Sequence, residues 1–240
     1  LVVEPPGADA RVDAAIEGIE RLSADVLRVR LVCDGAFDYR PGQYVTIRRA
    51  DGLARSYSLA SLREAGHLEL HVRVIPQGRM SGWLAGEARA GDRMEIIGPA
   101  GECFYVPGAP EQPLLLAGTG TGLAPLYGIL REALAQGHRG PIRLFHGALR
   151  PEGLYLRDAL EALARQHANV AYTPAVLQGE GQGIVTGALD RVILAEKPDP
   201  ATRAFVCGDP GIVTLLRKQL FLAGLGFNQI LADSFLPSAA

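Results

Sequence analysis

The hydrophobic pattern of this chain changes period once, and that change limits the fold more than any other feature. Before residue 107, apolar and polar residues alternate in short runs separated by glycine and proline. Asp25–Cys33 (DVLRVRLVC) alternates over most of its length. In the stretch from His67 to Val74, Leu68, Leu70, Val72 and Val74 face one way, and His67, Glu69, His71 and Arg73 the other. A period of two predicts half-buried strands. Residues 43–48 and 93–97 are shorter candidates, and the set predicts a small antiparallel β-barrel over residues 10–107. Residues 107–113 (PGAPEQP) carry three prolines and a glycine, as a linker does.

Beyond the linker the rhythm differs. Residues 114–117 (LLLA) are continuously apolar, as in a strand covered on both faces. Leu123, Leu126, Ile129, Leu130, Ala133 and Leu134 then recur at helical spacing and stop near Gly137. Strands are expected at 142–146, 170–172, 204–207 and 229–231, with helices at 154–166 and 211–223. Alternating strand and helix predicts a parallel α/β sheet over residues 108–240. The expected fold is therefore two-domain, an antiparallel β-barrel followed by an α/β parallel-sheet nucleotide-binding domain, with residues 1–9 as a linker-like leader.

Composition removes several classes. Two modest domains fit 240 residues. A formal charge of -2 argues against a nucleic-acid or anionic-membrane partner. No apolar run is long enough for a membrane span. Three widely spaced cysteines (33, 103 and 207) supply neither an iron–sulfur cluster nor a disulfide framework, so no metal site and a reducing cytoplasm are expected. Cys33 and Cys103 are expected to be buried small residues. The five histidines show no metal spacing, which leaves them surface or network roles.

Four segments carry chemistry. Gly118-Thr119-Gly120-Thr121-Gly122-Leu123-Ala124-Pro125 links a strand to a helix, where close backbone approach and free amides suit a phosphate. Arg55-Ser56-Tyr57-Ser58 offers a forked cation and an aromatic ring two residues apart, on one side of an extended chain. Gly78-Arg79-Met80-Ser81 precedes a helix expected at 81–88, and taken alone Ser81 reads as its N-cap. Cys207-Gly208-Asp209-Pro210 ends a strand at the edge where α/β sheets bind ligands.

Together with Gly98-Pro99-Ala100-Gly101, these segments follow one another in an order that resembles the ferredoxin–NADP reductase superfamily, most of all the reductase components of bacterial multicomponent oxygenases. The resemblance implies a flavoprotein that takes hydride from NAD(P)H onto FAD and passes single electrons to an iron–sulfur or haem acceptor. It implies that Arg55 holds the FAD pyrophosphate, that Tyr57 packs on the flavin ring, and that Ser56 and Ser58 lie beside it, Ser58 near the reactive nitrogen. Tyr44 stands in the upstream Pro-Gly stretch. Val72, Arg73 and Val74 match the strand whose backbone meets the flavin edge. Gly78, Met80 and Ser81 match the phosphate turn. Gly118, Thr119, Gly120, Thr121, Gly122 and Pro125 would cradle the dinucleotide pyrophosphate. Cys207, with Gly208, Asp209 and Pro210, would lie near the nicotinamide, and Phe235 near the flavin face. Ser58, Cys207 and Phe235 are the candidates at the reacting centre.

The departures are also informative. Asp233 stands where relatives often carry glutamate. Leu149 follows Gly147-Ala148 where many relatives have arginine, which favours NADH over NADPH. Many such reductases carry a 2Fe–2S ferredoxin domain. A chain beginning Leu1-Val2-Val3 without that domain reads as one from which a fused N-terminal neighbour is missing. FMN in place of FAD, an electron-transfer subunit of a dihydroorotate-dehydrogenase-like complex, and a non-catalytic nucleotide-binding module are the alternatives. The second of these would need a C-terminal cysteine cluster, and residues 208–240 contain no cysteine.

Overall fold

The computed structural model describes residues 10–235, so the leader at 1–9 and the last five residues lie outside the described residues. Six strands form the first half: β1 (Arg11–Arg21), β2 (Val26–Cys33), β3 (Tyr44–Arg48), β4 (Ala54–Ser58), β5 (Leu68–Arg73) and β6 (Arg93–Ala100). They pair antiparallel in the order β4-β3-β6-β1-β2-β5. A bridge between Leu59 and Leu70, with the Ala60 N–H donating to the Glu69 carbonyl, joins the two ends into a barrel. Leu27, Val29 and Leu31 of β2 point inward with Leu68, Leu70 and Val72 of β5, and all six are buried. The outward Arg28 and Arg30 pair with Glu20 and Glu17 on β1 at 2.9 and 3.3 Å. Helix α1 (Arg79–Gly86) plugs the barrel with Met80 and Leu84.

The second half holds β7 (Leu114–Thr119), α2 (Leu123–Ala135), β8 (Ile142–Ala148), α3 (Arg157–Gln166), β9 (Val170–Val176), β10 (Val185–Thr186), α4 (Leu189–Ala195), β11 (Arg203–Gly208), α5 (Pro210–Leu222) and β12 (Ile230–Ser234). The six strands are all parallel, in the order β10-β9-β8-β7-β11-β12. Strand order reverses between β7 and β11. A crevice opens beyond the strand ends at such a switch point, which is where open α/β sheets bind ligands. The register there sets Gly118 beside Cys207, and Cys207 beside Asp233.

Several local expectations are corrected. β1 escapes a period-two reading because Ala14, Ala15 and Gly18 dilute its apolar face and a bulge between Ile16 and Gly18 breaks the alternation. The first helix begins at Arg79, not Ser81, and Gly78 occupies its N-cap. The Ser81 hydroxyl instead accepts from the Ile75 N–H at 3.3 Å. α3 starts at Arg157, because Leu156 takes a left-handed conformation (φ 58°) that ends the preceding turn. β5 is not half-buried: Glu69 and His71 on its second face are buried as well. Cys33 is only half-buried, and desolvation with the Asp34 charge pushes its thiol up to about 11.

Candidate active site

The N-terminus of α2 is where the second half can best hold an anion. Its N-cap is Gly122, with no side chain bonded to the first amides. At α5 the corresponding amides are taken: the Asp209 carboxylate accepts from the Gly211 and Ile212 N–H groups at 2.9 and 3.2 Å, and Pro210 follows it. Asp209 and Pro210 therefore serve as the cap of α5, while Gly118 to Gly122 lead into a helix end that no side chain caps, with its positive dipole.

Backbone closeness explains the glycines. A Cβ at Gly122 would lie 2.3 Å from the Cys207 carbonyl oxygen, and one at Gly118 3.0 Å from the same atom. Gly208, at φ +125°, has the Thr119 carbonyl 2.8 Å from where its Cβ would be. The two loops at the switch point thus touch main chain to main chain. Pro125 is buried on the first turn of α2.

Between the two halves lies a cavity of about 520 Å³. Tyr44 and Arg55 to Ser58 form one wall, and His71, Arg73 and Ile75 another. Gly78 to Ser81, at the start of α1, form the third. Thr121 and Ala124 enter from the glycine loop and α2, and Asp233 to Phe235 close the end of β12. A smaller cavity of about 190 Å³, lined in part by Cys33, Phe37, Tyr39 and His67, falls below the range usual for organic ligands, whereas the larger one falls within it.

The cavity wall offers a guanidinium, free backbone amides and an aromatic ring. Among the described residues, the Arg55 guanidinium donates only to the Ala54 carbonyl, at 2.7 Å, so most of its fork is available to an anion. The start of α1 carries no side-chain cap and adds backbone amides. A Cβ at Gly78 would lie 2.4 Å from the Ser81 hydroxyl and 2.5 Å from an Ile75 side-chain carbon, so a larger residue would have to displace both. Tyr57 is partly buried against the barrel core, and desolvation raises its phenol to about 12, which keeps it a neutral ring. Val72 and Val74 pack toward the barrel core, leaving Arg73 between them on the cavity side.

At the far wall, burial raises the Asp233 carboxyl pKa, opposed by the nearby Ser58 hydroxyl. Phe235 is tied to the sheet by its N–H, which donates to the Gly208 carbonyl at 2.8 Å. Cys207 lies behind this wall and is 1% exposed, with its sulfur 3.5 Å from that of Cys103. Burial and the neighbouring Cys103 thiol raise its pKa well above the usual value, so it stays a neutral thiol. The structure thus gathers Ser58, Asp233 and Phe235 around one cavity and sets Cys207 just beneath. Ile75 and above all His71 join the wall without having been singled out, because alternation alone placed His71 on an outer face.

Comparison with known proteins agrees with this geometry. Residues 13–105 match the oxidoreductase FAD-binding domain, and residues 116–218 match the oxidoreductase NAD-binding domain. The chain is 32% identical to the naphthalene 1,2-dioxygenase system ferredoxin–NAD(P)+ reductase component of Pseudomonas putida, over 98% of this chain and 74% of that protein. Among solved structures it resembles the Amycolatopsis cytochrome P450 reductase GcoB (TM-score 0.88, 30% identity, 96% of this chain and 71% of that one). It also resembles the ferredoxin reductase in carbazole 1,9a-dioxygenase (TM-score 0.86, 27% identity, 97% and 71%). With the cavity, the uncapped helix ends and these matches in hand, the chain belongs to the ferredoxin–NAD(P)+ reductase family of FAD-dependent NAD(P)H oxidoreductases.

Proposed function

We propose that residues 10–107 hold FAD, that residues 108–240 hold NAD(P)H, and that the electrons leave singly for an iron–sulfur or haem protein of an oxygenase system. The chemistry the two cofactors supply is hydride transfer from the dihydronicotinamide to FAD, followed by one-electron delivery to the acceptor. The protein positions them. Arg55 and the Gly78–Ser81 turn hold the FAD pyrophosphate, Tyr57 covers the ring, and the backbone from Val72 to Val74 meets its edge. The loop from Gly118 to Gly122, with Thr119, Gly120 and Thr121, seats the NAD(P)H pyrophosphate at the start of α2. Cys207 and Gly208 back the nicotinamide. Ser58 and Asp233 would supply a hydroxyl and a carboxyl beside the reacting centre, and Phe235 would stand by the flavin.

The observation that carries this reading is the single cavity walled by Arg55 and α1 on the barrel side and by Thr121, Ala124 and Asp233 on the sheet side. NADH is favoured over NADPH, because exposed Leu149 follows Ala148 and the next cation, Arg150, is turned to the Gln178 amide oxygen at 3.4 Å. The names of the relatives support both acceptor classes, a ferredoxin in one and a cytochrome P450 in another. An iron–sulfur acceptor, whether a separate ferredoxin or a domain on the same polypeptide, fits the reductase components named for dioxygenases. Three free thiols support a reducing cytoplasm. Among the described residues no helix is long and apolar enough to cross a membrane. The test is to release the bound flavin by heat, identify it, and compare NADH with NADPH as reductant of the protein. FAD and a lower KM for NADH are expected; a protein that retains no flavin contradicts the reading.

A further inference from the structure

Below the flavin-side wall, a buried hydrogen bond crosses from one half to the other. His71 of β5 and Tyr155, in the turn before α3, meet at 3.1 Å between Nδ1 and the phenol oxygen. Both are buried, and their rings are perpendicular, with centroids 5.4 Å apart. On its other side His71 Nε2 lies 2.8 Å from Glu69 Oε1, and Arg28 Nε donates to that same oxygen at 3.2 Å.

Direction along this chain follows from charge. Burial works against the Glu69 carboxylate, yet its hydrogen bond to His71 and the Arg28 charge hold its pKa below the usual carboxylate value. An ionised carboxylate only accepts. Burial lowers the His71 pKa, so the imidazole is neutral at pH 7 and its Nε2–H donates to Glu69. Nδ1 is then a lone-pair acceptor, and the Tyr155 hydroxyl must donate to it. With Nε2 turned to Glu69, the contact between Nδ1 and the Tyr155 hydroxyl has a single arrangement.

The place of this contact gives it a task. His71 is two residues from Arg73, on the same face of the strand, and both line the cavity. Tyr155 packs in the core cluster that also contains Leu123, Leu126 and Cys207, which underlies the glycine loop. We propose that His71 and Tyr155 are positioning residues that fix the flavin-bearing strand against the nicotinamide-bearing sheet at the spacing hydride transfer requires. The inference rests on the flavin and nicotinamide assignment above. Reacting atoms must stand about 3–3.5 Å apart, and a displacement of about 1 Å costs on the order of a hundredfold in rate.

The test uses the FAD-loaded protein and separates two steps. Tyr155→Phe keeps the ring and removes only the donor. Anaerobic reduction of its flavin by saturating NADH should slow at least tenfold, with an enlarged isotope effect from NADH deuterated at C4. FAD content, NADH affinity and the rate at which dithionite-reduced protein passes electrons to ferricyanide should stay near wild type. Glu69→Leu, which frees the His71 tautomer from the barrel side, should slow the same step, and Glu69→Gln, which keeps an acceptor, should restore it. Wild-type hydride rates in both Tyr155→Phe and Glu69→Leu overturn the proposal, as does an equal slowing of the ferricyanide step. Failure of the wild-type protein itself to be reduced by NADH would instead remove the underlying assignment.

Discussion

The sulfur of Cys103 lies 3.5 Å from the sulfur of Cys207, so the segment leaving the barrel touches the last side chain of β11 before the switch-point loop. Both residues are nearly fully buried. Replacing Cys207 by alanine should leave FAD bound and slow flavin reduction by NADH about tenfold through lost positioning. Cys207→Leu should in addition destabilise the fold by about 1–3 kcal/mol, because an enlarged side chain must displace Cys103 or the glycine loop. Stopped-flow reduction and thermal melts of the two variants measure the two effects separately.

Gly122→Ala tests the backbone contact at the same place. Its new methyl would lie 2.3 Å from the Cys207 carbonyl, a fixed main-chain atom, so the loop must move. The expected result is a rise in the KM for NADH of at least roughly tenfold, with a stability loss of about 1–3 kcal/mol. Unchanged NADH binding would mean the loop does not seat the dinucleotide.

Arg55→Ala removes the cation whose fork is left open in the cavity. Charge-assisted hydrogen bonds contribute about 1.5–3 kcal/mol, so FAD should bind about 10- to 150-fold more weakly. Tyr57→Ala should loosen FAD as well, through loss of stacking. Equilibrium dialysis of FAD against the apoprotein gives both values.

The buried His146 sets a pH dependence. Desolvation lowers its pKa to about 3, while the unfolded value is near 6.5. Between these values the unfolded chain takes up a proton that the folded chain does not. The stabilisation is therefore complete above pH 6.5 and declines as the pH falls toward 3. His146→Gln, which carries no titrating ring, should show a shallower loss of stability over that interval. Denaturant melts at pH 7, 6, 5 and 4 decide it, and identical slopes for the two proteins would contradict the assignment.

Much of this architecture is legible in local pattern. The strand from Leu68 and the helix from Leu123 follow from periods of two and of 3.6, and the Pro-rich linker marks the change between them. The glycines at 118, 122 and 208 are visible as a motif, but the reason for them is not. It is the contact of two loops separated by some ninety residues in sequence, which only the sheet order brings together. His71 is the clearest omission. In sequence it is one polar residue in an alternating strand, and its burial depends on Tyr155 arriving from the other half. Asp209 is the converse case, a motif residue whose carboxylate caps α5.

Anaerobic mixing of the FAD-reconstituted protein with NADH tests the central claim most directly. The account predicts that the yellow flavin absorbance bleaches within the turnover time and that heat then releases FAD. A protein that binds no FAD, or whose bound FAD stays oxidised under both NADH and NADPH, would contradict it.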